Sequence, residues 1–436
     1  MPINPIVYTE KVVRSFLKYQ LTTYPFADHR LHDQLRRELS LDQVRQTSLL
    51  RGPYITLSRG FRVGASVDQL IDDSVFHPHM KQIIPDYISD VYGHQERAIR
   101  SIDQGQTTLV STGTGSGKTE CFLYPIISKC LELRDDNVEA GITAVIVYPM
   151  NALAEDQLDR LRGILAGSGI TFGMYVGKTP EYEREVSGVR LESSASNADF
   201  HAQLDQYRSQ GRPDTIHPYE EVCSREMMRT PGRQPRILLT NVKQLELLLT
   251  RQKDVELFKD ARLDFLAFDE AHTFTGIVGA ETACLIRRLR SFCGSDAERT
   301  TCIATSATIV DESEPLAACK FASRFFGVPE SGVETVNEEY QHDEWSGERT
   351  TPPAPVSDIG DLLNQTLEAV DSDAPDQLVR DVYRQLTSQE LPSGDWQTGL
   401  FEGLRQNELA AQIRVNLPGP RELYLLLRAR FVRKRC

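Results

Sequence analysis

The sequence lacks several features that would have pointed to other functions. None of its eight cysteines stands in a CxxC pair, and no His–Cys cluster has zinc-finger spacing. That argues against a structural zinc module. Cys284 in TACLI and Cys302 in TTCIAT sit among apolar neighbours, so the cysteines read as reduced core thiols of a cytoplasmic chain. No apolar run approaches the roughly eighteen residues that would cross a bilayer, so no membrane partner is expected. The N-terminal MPINPIVYTEKVVRSF has no apolar core or cleavage site of a secretory signal. Internal repeats are absent. Positive charge is scarce, with 49 Lys and Arg against 62 Asp and Glu, a net of −13. Taken alone, this counts against a nucleic-acid partner. The deficit is uneven, however. Residues 331–400 hold 15 acidic and 3 basic residues, whereas 401–436 hold 3 acidic and 8 basic. A nucleic-acid groove needs only a local basic or amide-lined surface, so the overall sign excludes nothing.

What is present is ordinary for a soluble globular chain, with 40% hydrophobic and 25% charged residues over 436 positions. Residues 1–88 read as a mainly helical N-terminal accessory region, with helical spacing in KVVRSFLKYQL and LHDQLRREL. From about 89 to 330, short apolar runs alternate with helical stretches. TTLVST, TAVIVYP, ITFGMYV, RILLT, DFLAFD and TTCIATSAT read as strands, with helices over 117–132, 151–166, 241–251 and 279–291. Near-continuous apolar strands between helices predict an α/β domain with a mostly parallel sheet covered on both faces. Ligands of such sheets lie at the carboxyl ends of the strands. The polar stretch 178–235 is too long for a plain loop and reads as an insertion, either a subdomain or a mobile excursion. Residues 331–436 read as an acidic linker and helical segment, with helices over 358–370, 376–388 and 399–413.

The chemistry sits at the ends of the predicted strands. STGTGSGKTE (111–120) follows one strand and opens a helix. It departs from the strict GxxxxGK[ST] pattern, because Thr112 occupies the first glycine position. In the loop formed by Thr112, Gly113, Thr114, Gly115, Ser116, Gly117, Lys118 and Thr119, the glycines let backbone N–H groups turn inward around phosphate. The helix N-terminus adds its dipole. Lys118 would neutralise the β and γ phosphates of ATP, and Thr119 would ligate Mg²⁺. DEAH (269–272) ends the strand LDFLAF. Asp269 there would hold Mg²⁺, and Glu270 would orient and deprotonate a water. SAT (306–308) ends the next strand, and Ser306 and Thr308 could hydrogen-bond to the DEAH side chains. Gln95, 23 residues before Lys118, either reads adenine through its carboxamide or is an exposed helix glutamine. YPMNALAEDQ, with Pro149 and Asn151, and LLTNVKQLELLL, with Thr240 and Asn241, both run from strand to helix. Their Asn and Thr cap the helices, touch a nucleic-acid phosphate, or do both.

In their order and spacing, YGHQ, TGTGSGKT, YPMNALAEDQ, TN, DEAH and SAT resemble the first RecA-like lobe of superfamily 2 helicases. The wording of TGTGSGKTECFLYPI, YPMNALAEDQ and FDEAHTFTGIVGAETACLIRRLR is similar to the bacterial MrfA (YprA)-like DEAD/DEAH branch, some of whose relatives occur in phage defence. The resemblance implies a RecA-like P-loop fold over 89–330 and ATP-driven movement along single-stranded or duplex nucleic acid, with DNA expected over RNA. It implies that Gln95 reads adenine and that 112–119 bind phosphates. It further implies that Asp269 binds the metal, Glu270 is the base, and His272 couples the sites with Ser306 and Thr308. Pro149–Asn151 and Thr240–Asn241 would then touch the strand.

Those helicases work with two lobes, and no QxxGRxxR arginine helix follows here. The chain is therefore expected to be the front part of a longer machine that needs a second lobe or partner protein. The alternative is a truncated ATP- and nucleic-acid-binding module that does not unwind on its own. A P-loop kinase is a third class, and the DEAH–SAT order argues against it.

Overall fold

In the computed structural model the described residues are 60–113, 115–211, 215–307 and 316–341, with shorter stretches elsewhere, chiefly 26–38, 375–391 and 396–408. They fall into two units, Gly60–Gln341 and a second made of 1–59 with 342–436. The chemistry lies in the first.

Seven strands form the sheet of that unit: β1 Thr107–Ser111, β2 Ala144–Tyr148, β3 Phe172–Met174, β4 Ile237–Asn241, β5 Phe265–Phe268, β6 Thr301–Ser306 and β7 Val333–Asn337. Their spatial order is β7-β1-β6-β5-β2-β4-β3, and every pairing is parallel. The six helices that matter here are α1 Gly93–Asp103, α2 Lys118–Asp135, α3 Asn151–Leu165, α4 Val242–Leu248, α5 Gly276–Phe292 and α6 Ala317–Phe326.

The absence of polar alternation in the strands has a direct cause. Successive residues point to opposite faces, and each face has its own core. On β2, Ala144, Ile146 and Tyr148 pack with Ile99, Phe122 and Leu158 of α1, α2 and α3. Val145 and Val147 pack on the other side with Leu245, Leu285 and Phe325 of α4, α5 and α6. The same split holds for Ile237 and Leu239 against Leu238, and for Ala267 against Leu266 and Phe268.

The boundaries drawn from composition, at 88 and 330, both fall inside this unit. Ala65, Val67, Leu70, Phe76, Met80 and Ile84 belong to the main core, so 60–88 is built into the lobe. At the other end β7 pairs with β1 from Val333↔Thr107 to Asn337↔Ser111, so the seventh strand begins in the stretch that reads as an acidic linker. Cys121, Cys130 and Cys302 are buried as expected, but Cys284 is exposed, because α5 turns Leu285, Ile286 and Leu289 inward instead. Among the described residues no helix is long and apolar enough to cross a membrane.

Residues 178–235 carry structure of their own: a parallel pair Val189–Arg190 with Ile216–His217, and helices Asn197–Ser209 and Arg225–Arg229. Two polar networks fasten the insertion. Arg162 of α3 forks onto both oxygens of Glu221 at 2.7 and 2.6 Å, and His217 Nδ1 lies 2.8 Å from the same carboxylate. Arg229 reaches Asp254 at 2.7 Å and Glu181 at 2.6 Å.

In the second unit, the described helices are His29–Glu38, Pro375–Thr387 and Trp396–Arg405. Val379, Tyr383 and Leu391 make a small core there, and Tyr54–Ile55 pairs antiparallel with Arg421–Glu422. The helix expected at 358–370 lies outside the described residues.

Glu221 gives a test of how the insertion is held. Burial alone would raise its pKa, but the hydrogen bonds from His217 and Arg162 overcome that and hold it below the ordinary carboxylate value. A depressed carboxylate contributes stability that is present above its unfolded pKa and lost as pH falls through the folded one. Glu221→Ala leaves Arg162 with only the exposed Asp159 as a carboxylate partner and should destabilise the lobe by up to about 3 kcal/mol. Thermal melts should show the variant closest to wild type at acid pH, where wild type has already lost the interaction. An equal gap at neutral and acid pH would contradict this.

Candidate nucleotide site

Strand order brings the motifs together. β1 lies between β7 and β6, and β6 lies beside β5, so the loops leaving β1, β6 and β5 share one edge of the sheet. Register sharpens this, with Ser306 opposite Ser111 and Ala304 opposite Phe268.

The loop after β1 is shaped by two left-handed glycines, Gly115 at φ 83° and Gly117 at φ 76°. Gly117 is the N-cap of α2, and any Cβ there would strike Gln95. Inside the loop Thr112 Oγ1 and Ser116 Oγ lie 2.7 Å apart, and the Ser116 hydroxyl donates to Gly113 O at 2.8 Å. The start of α1 props it from outside. Gln95 donates to Gly117 O at 3.0 Å and accepts from Tyr92 N at 2.8 Å, and His94 Nε2 lies 2.8 Å from Ser116 O. Burial lowers the His94 pKa, which favours the neutral ring. Gln95 is thus a buried brace of the phosphate loop, not an exposed helix residue. Thr119 lies in the first turn of α2. Thr114 is outside the described residues.

Lys118 Nζ is buried without a hydrogen-bond partner, and its nearest counter-charge is Glu270 Oε1 at 3.6 Å. A buried ammonium so placed at the mouth of a glycine loop fits a phosphate. Asp269 is nearly buried. Its Oδ1 accepts from the Thr305 hydroxyl and from Glu270 N at 3.1 Å. Burial raises its pKa, opposed by the Thr305 bond. Glu270 takes a left-handed backbone, φ 51° and ψ 48°, which turns its carboxylate toward Lys118 on one side and His272 Nδ1, 3.3 Å away, on the other. Ser306 Oγ lies 3.4 Å from the same His272 nitrogen. Ser306 therefore meets the DEAH segment. Thr308 lies outside the described residues.

Sequence reasoning missed two residues here. Thr305, one position before SAT, is the group that holds Asp269, and only the strand register reveals it. Glu338, just past β7, places its carboxylate on the Gly113 N–H. Composition alone places it in a linker.

At the neighbouring strand ends, Asn241 donates to Asn151 Oδ1 at 2.7 Å and caps α4 by accepting from Gln244 N. Asn151 opens α3 beside half-buried Pro149 and exposed Met150. Thr240 is fully buried, with its hydroxyl donated to Tyr175 O at 2.8 Å. Asn151 and Asn241 thus form one polar pair, and the Thr240 side chain lies beneath it.

The DEAD/DEAH box helicase family model matches residues 92–194. Druantia protein DruE of Escherichia coli (strain UMEA 4076-1) is 28% identical over 67% of this chain and 20% of its own length. The uncharacterized ATP-dependent helicase YprA of Bacillus subtilis (strain 168) is 26% identical over 52% of this chain and 24% of its own. The matched stretch thus spans about a fifth to a quarter of these relatives. Among solved structures, the DUF1998 helicase MrfA bound to DNA aligns with 78% of this chain and 42% of its own, at 20% identity and a TM-score of 0.44.

Lys118 supplies the direct test of the loop. Lys118→Met removes a buried donor without a hydrogen bond, a group that costs about 1–3 kcal/mol to leave unsatisfied, and gives up only its 3.6 Å ion pair with Glu270. The variant should melt no lower than wild type without nucleotide, yet lose ADP binding by calorimetry. Undiminished ADP binding would remove the phosphate-loop assignment.

Proposed function

We propose that this chain carries a DEAD/DEAH-box helicase domain of superfamily 2, and that its 60–341 unit binds and hydrolyses ATP to drive movement on nucleic acid, DNA in preference to RNA. The observation that carries the reading is the buried Lys118 ammonium facing Glu270 across the loop edge shared by β1, β5 and β6.

The roles follow from position. Residues 112–119 cradle the phosphates with inward N–H groups, and Lys118 takes their charge. Thr119 and Asp269 are the residues that would hold Mg²⁺, which supplies charge neutralisation at the β and γ oxygens. Glu270 accepts the proton of the attacking water. His272 lies within reach of both Glu270 and Ser306, so it can pass a change at the base to the end of β6. Gln95 braces the loop and reads adenine through its carboxamide. Asn151 and Asn241 meet a strand through phosphate contacts, which makes binding tolerant of sequence.

This unit offers one set of strand contacts and one half of a nucleotide cleft. We propose that a second lobe, in a longer chain or a partner protein, supplies an arginine to the transition state. In other phosphate-loop enzymes that group is worth roughly 10³–10⁵ in rate. We further propose that the whole protein works in the cytoplasm and, like some relatives of the branch it resembles, in phage defence.

Two measurements test the reading. Glu270→Gln keeps the shape and removes the base, so it should bind ATP as wild type does and hydrolyse it at least about a hundredfold more slowly. Equal turnover would dismiss Glu270 as the base. The 436-residue chain should show slow ATP hydrolysis, accelerated by single-stranded DNA, and no displacement of an annealed strand. Unwinding by this chain would refute the need for a second lobe.

A further inference from the structure

The two ends of the lobe meet beside the phosphate loop. Arg62 N donates to Glu339 O at 2.8 Å and Gln341 N to Gly60 O at 2.9 Å, with Phe61 bridged antiparallel to Tyr340. Their rings stack at 5.5 Å, and Arg62 and Glu339 form an ion pair at 2.5 Å on the outside. This clasp joins residues 60–62 to 339–341. Glu338 begins it, directly after β7. One of its carboxylate oxygens accepts from the Gly113 N–H and the other from the Tyr340 hydroxyl. A Cβ at Gly113 would sit 2.8 Å from Glu338 Oε1, so only glycine admits the carboxylate this closely.

We propose that Glu338 is a latch displaced by nucleotide. Its carboxylate takes the place of a phosphate oxygen on the Gly113 amide, and phosphate entering the loop expels it and loosens the clasp.

The chemistry supports competition, not coexistence. Gly113 has one amide proton, and a phosphate oxygen using it would meet the Glu338 charge at hydrogen-bond range. The carboxylate cannot withdraw alone. Its second oxygen is tied to Tyr340, and Tyr340 is tied to Phe61 by a backbone bridge and a ring stack. Expelling Glu338 therefore either breaks the Tyr340 bond or shifts 339–341 away from 60–62. Occupancy of the phosphate loop would be felt where the lobe begins and ends.

The proposal rests on the phosphate-loop reading, and the test keeps the two apart. ADP is titrated by calorimetry into the 436-residue chain and into Glu338→Ala, Glu338→Gln and Lys118→Ala. Removing a charged competitor of a hydrogen bond should tighten ADP roughly tenfold in Glu338→Ala, with Glu338→Gln in between. In wild type, hydrogen exchange at the Arg62 and Gln341 amides should speed up when ADP binds. Lys118-dependent binding that is unchanged or weaker in Glu338→Ala overturns the latch and leaves the phosphate loop standing. If Glu338→Ala fails to fold, Glu338→Gln decides on the same criterion. Absence of ADP binding in every variant overturns both readings. Tighter ADP with unaltered exchange at Arg62 and Gln341 overturns the coupling to the clasp.

Discussion

The alignment of strand ends on β1, β6 and β5 is the constraint on which the site depends. Parallel pairing lets three loops that are distant in sequence leave the sheet at one edge, and register decides which atoms meet. Thr305 holds Asp269 because the residue after Phe268 stands level with the residue after Ala304. A one-residue slip would turn Thr305 to the other face and leave Asp269, nearly buried, without that donor. The two apolar cores make such a slip costly. Shifting β6 would exchange the faces of Cys302, Ile303 and Ala304, which now divide between the two helix layers.

Around this edge the charges form a small, closed system. Lys118 and the loop amides are positive in effect, and two carboxylates answer them, Glu270 from the strand beyond β6 and Glu338 from the strand on the other side of β1. Glu270 and Glu338 thus flank the glycine loop from opposite sides. Glu270 is held there by a backbone conformation that is uncommon for a residue with a side chain. Its position is set by the 3₁₀ turn Ala271–Thr273 after β5 and by its contacts with Lys118 and His272.

How much of this could be read beforehand depended on the kind of signal. β2 and β5 were legible because strands buried on both faces are written in unbroken apolar residues, as AVIVY and FLAF are, and β1, β3, β4 and β6 because short β-rich apolar runs stand between helical stretches. The phosphate loop and DEAH were legible because glycine spacing and paired acids are local in sequence. β7 was not. VETVN carries a glutamate and an asparagine, as an edge strand with one wet margin can, and it stands at the head of an acidic run that composition assigns to a linker. Residues 60–88 were opaque for a different reason. Their contribution to the core comes from short turns and one-turn helices, too brief to show a period. Thr305 and Glu338 act through tertiary neighbours 36 and 225 positions away, which no window along the chain contains.

The seventh strand also limits how the lobe can be cut from the chain. A boundary placed at the composition change near 330 would remove β7 and bare the outer margin of β1, a five-residue strand whose every residue is buried. Its N–H and C=O groups would then stand unpaired along an open margin, free to pair with any extended segment nearby. The same truncation would leave Val110 and Ala98 without Val336, their partner in a small core between α1 and the sheet. Insolubility of such a fragment would follow from an open sheet edge, a packing defect unrelated to nucleotide chemistry.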